Sequence, residues 1–167
     1  MSYMKQKSYI CVAYIKQIKK MDQELIKQII GENQEFVQNV KLLQRPFKFE
    51  DNGNLGIRRA GKSYLMFQRI HELMKRGTDI EEILYLNFED ERFIGLKSED
   101  LDEIKRVYEE TFSSRPIFFL DEIQIVPGWE KFVRRLADKN YRVFVTGSNA
   151  KMLSSEIATT LGGRFLI

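Results

Sequence analysis

Gly56-Ile57-Arg58-Arg59-Ala60-Gly61-Lys62-Ser63 decides how the rest of the sequence is read. It satisfies the pattern GxxxxGK[ST] in full. Glycines let a backbone wrap closely around a phosphate. The N–H groups of such a loop, with the N-terminus of the helix behind it, supply positive potential. Lys62 has the reach for β- and γ-phosphates, and the Ser63 hydroxyl suits Mg²⁺. Gly56, Arg59, Ala60, Gly61, Lys62, Ser63 and Tyr64 are therefore the candidate nucleotide contacts. The bland alternative is a glycine-rich turn. Against it, Met66, Phe67, Ile70, Leu73 and Met74 follow at helical spacing, so the loop opens a helix from about Lys62 to Arg76, closed by Gly77.

Downstream, apolar runs alternate with amphipathic ones. Ile83 to Phe88 reads as a buried strand, Ser98 to Phe112 as a helix with Ser98 at its N-cap, and Pro116 to Leu120 as a second buried strand. Trp129 to Lys139 is helical, Tyr141 to Thr146 a third strand, and Lys151 to Leu161 a helix broken by Gly162-Gly163. Upstream, Leu25, Ile26, Ile29, Ile30, Phe36, Val37, Val40 and Leu43 predict a helix over Asp22 to Leu43, before Pro46. Phe47-Lys48-Phe49 alternates, and Asp51-Asn52-Gly53-Asn54 signals a turn. This order predicts an α/β fold, a parallel sheet with helices on both faces.

Two further strand ends carry polar chemistry. Ile117-Phe118-Phe119-Leu120 runs into Asp121-Glu122, 58 residues after Ser63 with a strand and helix between. This is the shape of a Walker B element. Asp121 would hold Mg²⁺ at the carboxyl end of a strand, where ligands bind in open α/β sheets, and Glu122 would orient and activate water. The bland alternative is a pair of solvated acids. Val143-Phe144-Val145-Thr146 runs into Gly147-Ser148-Asn149, where Ser148 or Asn149 could meet the γ-phosphate or the attacking water. An ordinary turn is an equal reading. Arg164, after Gly162-Gly163, could serve as an arginine finger in a neighbouring subunit, or simply be a surface arginine.

The set GIRRAGKS, LDEIQIVPGWEKFVRRLAD and VTGSNAKMLSSEIATTLGGRF resembles the bacterial and archaeal AAA-type ATPases whose P-loop domain, of the AAA_14 type, precedes a DUF4143 domain. The likeness runs from about Met21 to Ile167. It implies a P-loop NTPase fold of the ASCE class, AAA-like, with ATP and Mg²⁺ as cofactors. It assigns Lys62 and Ser63 to phosphate and metal, Asp121 to metal, and Glu122 to the base. Ser148-Asn149 stands at the sensor position and Arg164 at the family's GR motif. The resemblance also implies an apolar strand leading into the P-loop. Here only Asn52-Gly53-Asn54-Leu55 precedes Gly56, several residues short of the family pattern. A DUF4143 domain would follow Ile167. The expected division is a basic extension over 1–20, a helix and connector over 21–50, and a truncated P-loop ATPase domain over 51–167.

Composition narrows the field further. The chain has 167 residues, 43% hydrophobic, with a net charge of +3. The first twenty residues hold Lys5, Lys7, Lys16, Lys19 and Lys20 and no acid, which leaves 22 basic against 24 acidic residues in the body. Nucleic acid is accordingly a lesser reading, carried by that leader and by Lys131, Arg134 and Arg135. One cysteine, Cys11, excludes an internal disulfide and fits a cytoplasmic protein. No apolar run is long enough for a membrane span. His71 and Trp129 read as packing residues.

The leading expectation is an ATP-hydrolysing domain, with a homo-oligomer and a protein client as open partners. The alternatives are a truncated, inactive relative that binds nucleotide weakly and a nucleic-acid-associated module.

Overall fold

A computed structural model describes residues 22–42 and 61–147. Gly56, Arg59, Ala60, Ser148, Asn149 and Arg164 lie outside the described residues. So do the 1–20 leader, Phe47 to Phe49 and the helix expected at Lys151 to Leu161.

Among the described residues, three parallel strands form one sheet in the order β1 (Ile83–Asn87), β2 (Ile117–Asp121), β3 (Val143–Val145). Around it stand α1 (Gln23–Asn39), α2 (Lys62–Lys75), α3 (Ser98–Phe112) and α4 (Trp129–Asp138). All three strands are continuous apolar runs because both faces are covered. Register turns their alternation into two cores. Leu84, Phe118 and Val143 form one row, and Leu86, Leu120 and Val145 the next. Both rows meet α3 and α4 through Leu101, Ile104, Phe132 and Leu136. On the opposite face Tyr85, Phe119 and Phe144 align and meet Met66, Phe67, Ile70 and Leu73 of α2. Phe119 and Phe144 stack with centroids 4.5 Å apart. Each fully buried side chain of this kind contributes about 1.5–3 kcal/mol. The α/β architecture with helices on both faces is thus as the sequence predicts.

Helix α1 closes the outer edge of β1. Its Ile26, Ile29 and Ile30 enter one core and Val37 the other. The Asn33 side-chain amide donates to the Tyr85 carbonyl at 3.0 Å, and that of Gln34 to the Ile80 carbonyl at 3.0 Å. The Tyr85 carbonyl, on the edge that would otherwise invite another strand, is thereby occupied, and Gln34 ties α1 to the turn that leads into β1.

Several expected boundaries move, each for a local reason. Helix α1 stops at Asn39, short of Leu43, because the Asn39 amide donates to the Glu35 carbonyl and Val40 turns extended. Lys97, not Ser98, is the N-cap of α3; its N–H donates to the Asp100 carboxylate at 2.8 Å. The Ser98 side chain packs toward Gly128 instead. Strand β2 extends to Asp121, whose carbonyl accepts from the Phe88 N–H at 3.0 Å. Strand β3 starts only at Val143, since the Tyr141 N–H closes α4 by donating to the Leu136 carbonyl. Gly77 does end α2. With φ at 99°, it lets its own N–H reach Met74 and that of Thr78 reach Leu73.

Candidate functional site

The two-residue period of β2 puts Asp121 on the same face as Phe119, toward α2. Asp121 is nonetheless buried, only 1% exposed, at the carboxyl end of the strand. Both its oxygens are engaged. Tyr85, diagonally across on β1, donates its hydroxyl to Oδ2 at 3.0 Å. Thr146, just past β3, donates its hydroxyl to Oδ1. The same Thr146 oxygen accepts from the Glu122 N–H at 3.1 Å. The Thr146 N–H donates to the Leu120 carbonyl at 3.0 Å, which keeps the hydroxyl in place. Burial first, and then the negative charge of Asp121, push the Tyr85 phenol well above its usual range, so Tyr85 stays a donor.

Glu122 follows in the left-handed region, with φ at 54° and ψ at 38°. That conformation costs a non-glycine residue about 1 kcal/mol and turns the chain sharply at the strand end. Gln124 donates its amide to the Glu122 carboxylate.

Lys62 reaches the same place from the other side. Gly61, at φ 81° and ψ 32°, starts α2 without any side-chain cap. The first-turn N–H groups of Lys62, Ser63 and Tyr64 thus have no intrahelical partner. The Lys62 ammonium donates to the Gly147 carbonyl, one residue beyond Thr146. Lys62, Asp121 and Glu122, scattered in sequence, therefore converge at the carboxyl ends of β2 and β3.

These observations meet the family comparison at one point. Residues 55–167 match the family model for an AAA domain. The chain belongs to the AAA domain family. Membership makes residues 55–167 a P-loop, ATPase-like domain of a nucleotide-binding class. An uncharacterized protein of Methanocaldococcus jannaschii is 39% identical over 147 residues, which covers 85% of this chain and 32% of that protein. An uncharacterized protein of Haemophilus influenzae is 40% identical over 132 residues, 74% of this chain and 32% of the relative. The chain thus spans about a third of the length of the curated relatives it matches. No solved structure matches it.

Within the AAA domain the residue set can be tested against Mg²⁺. Among the described residues, no cationic side chain pairs with Asp121, and its partners are neutral hydroxyls. A buried carboxylate without a counter-charge is costly, so a cation fits beside it. Among the described residues no group of three or more His, Cys, Asp or Glu could hold a metal by itself. A single carboxylate such as Asp121 suits Mg²⁺, which takes one or two carboxylates and fills its shell with substrate phosphates and water.

Of the sequence candidates, the structure brings Lys62 to the strand end that carries Asp121 and Glu122, and it adds Tyr85, Thr146 and Gln124, which the sequence did not single out, as their hydrogen-bond partners. Tyr85 had one available signal: a tyrosine in a buried strand needs a partner for its hydroxyl. That partner stands 36 residues away, and only the sheet register brings it within reach. Tyr64, assigned to the nucleotide, is exposed in the first turn of α2, with its ring edge-on to Phe67. His71 donates its ring N–H to a backbone carbonyl. Its Nε2 lies 2.7 Å from the Val37 carbonyl, a packing role. Trp129 is buried in the α3–α4 core. Lys131, Arg134 and Arg135 face solvent, and Arg135 pairs with Asp102. Among the described residues, no helix is long and apolar enough to cross a membrane.

Proposed function

We propose that this chain binds Mg²⁺-ATP and hydrolyses it to ADP and phosphate. The observation that carries this reading is the approach of Lys62, at the head of α2, to the Asp121–Thr146–Gly147 end of the sheet. In this reading Lys62 leaves the Gly147 carbonyl for the β- and γ-phosphates. The first-turn N–H groups of α2 take phosphate oxygens, helped by the helix dipole. Gly56, Arg59 and Ala60 complete the loop. Ser63 and Asp121 would hold Mg²⁺, which supplies neutralisation of charge on the phosphates. Glu122 accepts the proton of the attacking water, and Gln124 fixes the direction of its carboxylate. Ser148 or Asn149 senses the γ-phosphate. Arg164 acts across a subunit boundary in a homo-oligomer.

Support comes from the family, from the order of motifs and from the chemistry of Asp121. We take residues 51–167 as the ATPase unit, with the 21–50 segment as its flank. A protein client is the partner class we favour, and the cytoplasm the compartment.

Mg²⁺-dependent release of phosphate by the full chain tests this directly. Glu122→Gln is expected to lower the rate about a hundredfold or more while ATP still binds. Undetectable ATP binding by the unmodified chain would sink the proposal.

A further inference from the structure

We infer that Tyr85 is a positioning residue for the metal carboxylate: its hydroxyl, opposite that of Thr146, sets the direction in which Asp121 presents its oxygens to Mg²⁺. This rests on the reading of Asp121 as the Mg²⁺ carboxylate. The geometry is specific. A carboxylate on a strand end can rotate about its terminal bond unless both oxygens are tied. Here Oδ2 is tied to β1 through Tyr85 at 3.0 Å, and Oδ1 to β3 through Thr146. The two donors come from the strands on either side of β2. Each oxygen keeps a further acceptor site for a metal or its water.

Tyr85 is itself fixed from three directions. Its ring packs edge-on against Phe67 of α2, with centroids 5.1 Å apart. Its carbonyl accepts from Asn33 of α1, and its strand position is aligned with Phe119. The phenol thus links the helix that carries Lys62 and Ser63 to the strand that carries Asp121. A hydroxyl so placed does not touch nucleotide. It acts on the metal through the carboxylate, as outer partners of metal ligands do.

The experiment measures a fluorescent ATP analogue binding to the full chain, without Mg²⁺ and across a Mg²⁺ titration. Tyr85→Phe keeps the ring and removes only the hydroxyl. It is expected to raise the Mg²⁺ concentration for half-maximal tightening about tenfold and to leave Mg²⁺-free affinity unchanged. Mn²⁺, which binds oxygen sites more tightly, should shrink the defect. In an Asp121→Asn background the same substitution should add nothing further, because the carboxylate it acts through is gone. An unchanged Mg²⁺ requirement, an equal shift in both backgrounds, or a matching loss of Mg²⁺-free affinity overturns the inference. Failure of the underlying reading looks different: Asp121→Asn alone would then leave the Mg²⁺ requirement unmoved, or the unmodified chain would bind no analogue.

Discussion

Thr146→Val is the sharpest stability test of the site. Thr146 is only 6% exposed and its hydroxyl serves two groups at once. It donates to the Asp121 carboxylate and accepts from the Glu122 N–H at 3.1 Å. Valine has nearly the same volume but fills neither role. The bond to a charged group contributes about 1.5–3 kcal/mol and the neutral one about 1. Because both partners sit at a buried strand end, the loss should come to about 2–4 kcal/mol. For a chain of this size each kcal/mol moves the Tm by about 2–4 °C, so a fall of roughly 5–15 °C is expected. Thr146→Ser, which keeps the hydroxyl and loses a methyl group, should cost only about 1 kcal/mol. Urea and thermal unfolding followed by circular dichroism would compare the two. If valine proves as stable as serine, Thr146 does not bind Asp121 and Glu122 together, and the reasoning fails.

Other outcomes follow from named contacts. Arg92 pairs with Asp90 at 2.7 Å and Glu32 at 2.6 Å, tying the segment after β1 to α1. The Arg92 side-chain hydrogen bonds hold both carboxylates below their usual range. Carboxylates lowered in this way add stability above their unfolded pKa of about 4, which is lost as pH falls through the folded values. Arg92→Leu should therefore lower the urea midpoint at about pH 7, and the gap from the unmodified chain should narrow below about pH 4. A gap that stays constant with pH would remove the ion pairs from the explanation. Asn33→Leu strips the donor from the Tyr85 carbonyl at the sheet edge and should cost about 1 kcal/mol; faster hydrogen exchange along β1 is the accompanying readout. Gly128→Ala forces a side chain into a φ of 78°, with its Cβ 3.3 Å from the Ser98 hydroxyl oxygen. A loss of about 1–2 kcal/mol in urea unfolding is expected, and an unchanged midpoint would contradict the stated backbone strain.

The sequence made the layers legible because helical spacing and short continuous apolar runs alternated along it. Continuous apolar runs at Ile83 and Ile117 read as strands covered on both faces, and the Met66–Phe67–Ile70–Leu73 spacing as a helix face. Boundaries were harder, since single side chains decided them: Asn39 ending α1, Asp100 bonding the Lys97 N–H, Tyr141 closing α4. At the site, Lys62, Asp121 and Glu122 were legible because each stands at a fixed offset within a local motif. Tyr85 and Thr146 were not, because their roles arise from strand neighbours 36 and 25 residues from Asp121. Register, which no local pattern encodes, made them partners.

Equilibrium binding of ATP to the full chain, with and without Mg²⁺ and in Lys62→Ala, tests the nucleotide site most directly. Saturable binding that tightens with Mg²⁺ and is lost in Lys62→Ala is the predicted result. Binding indifferent to both Mg²⁺ and Lys62, or no binding at all, would contradict it.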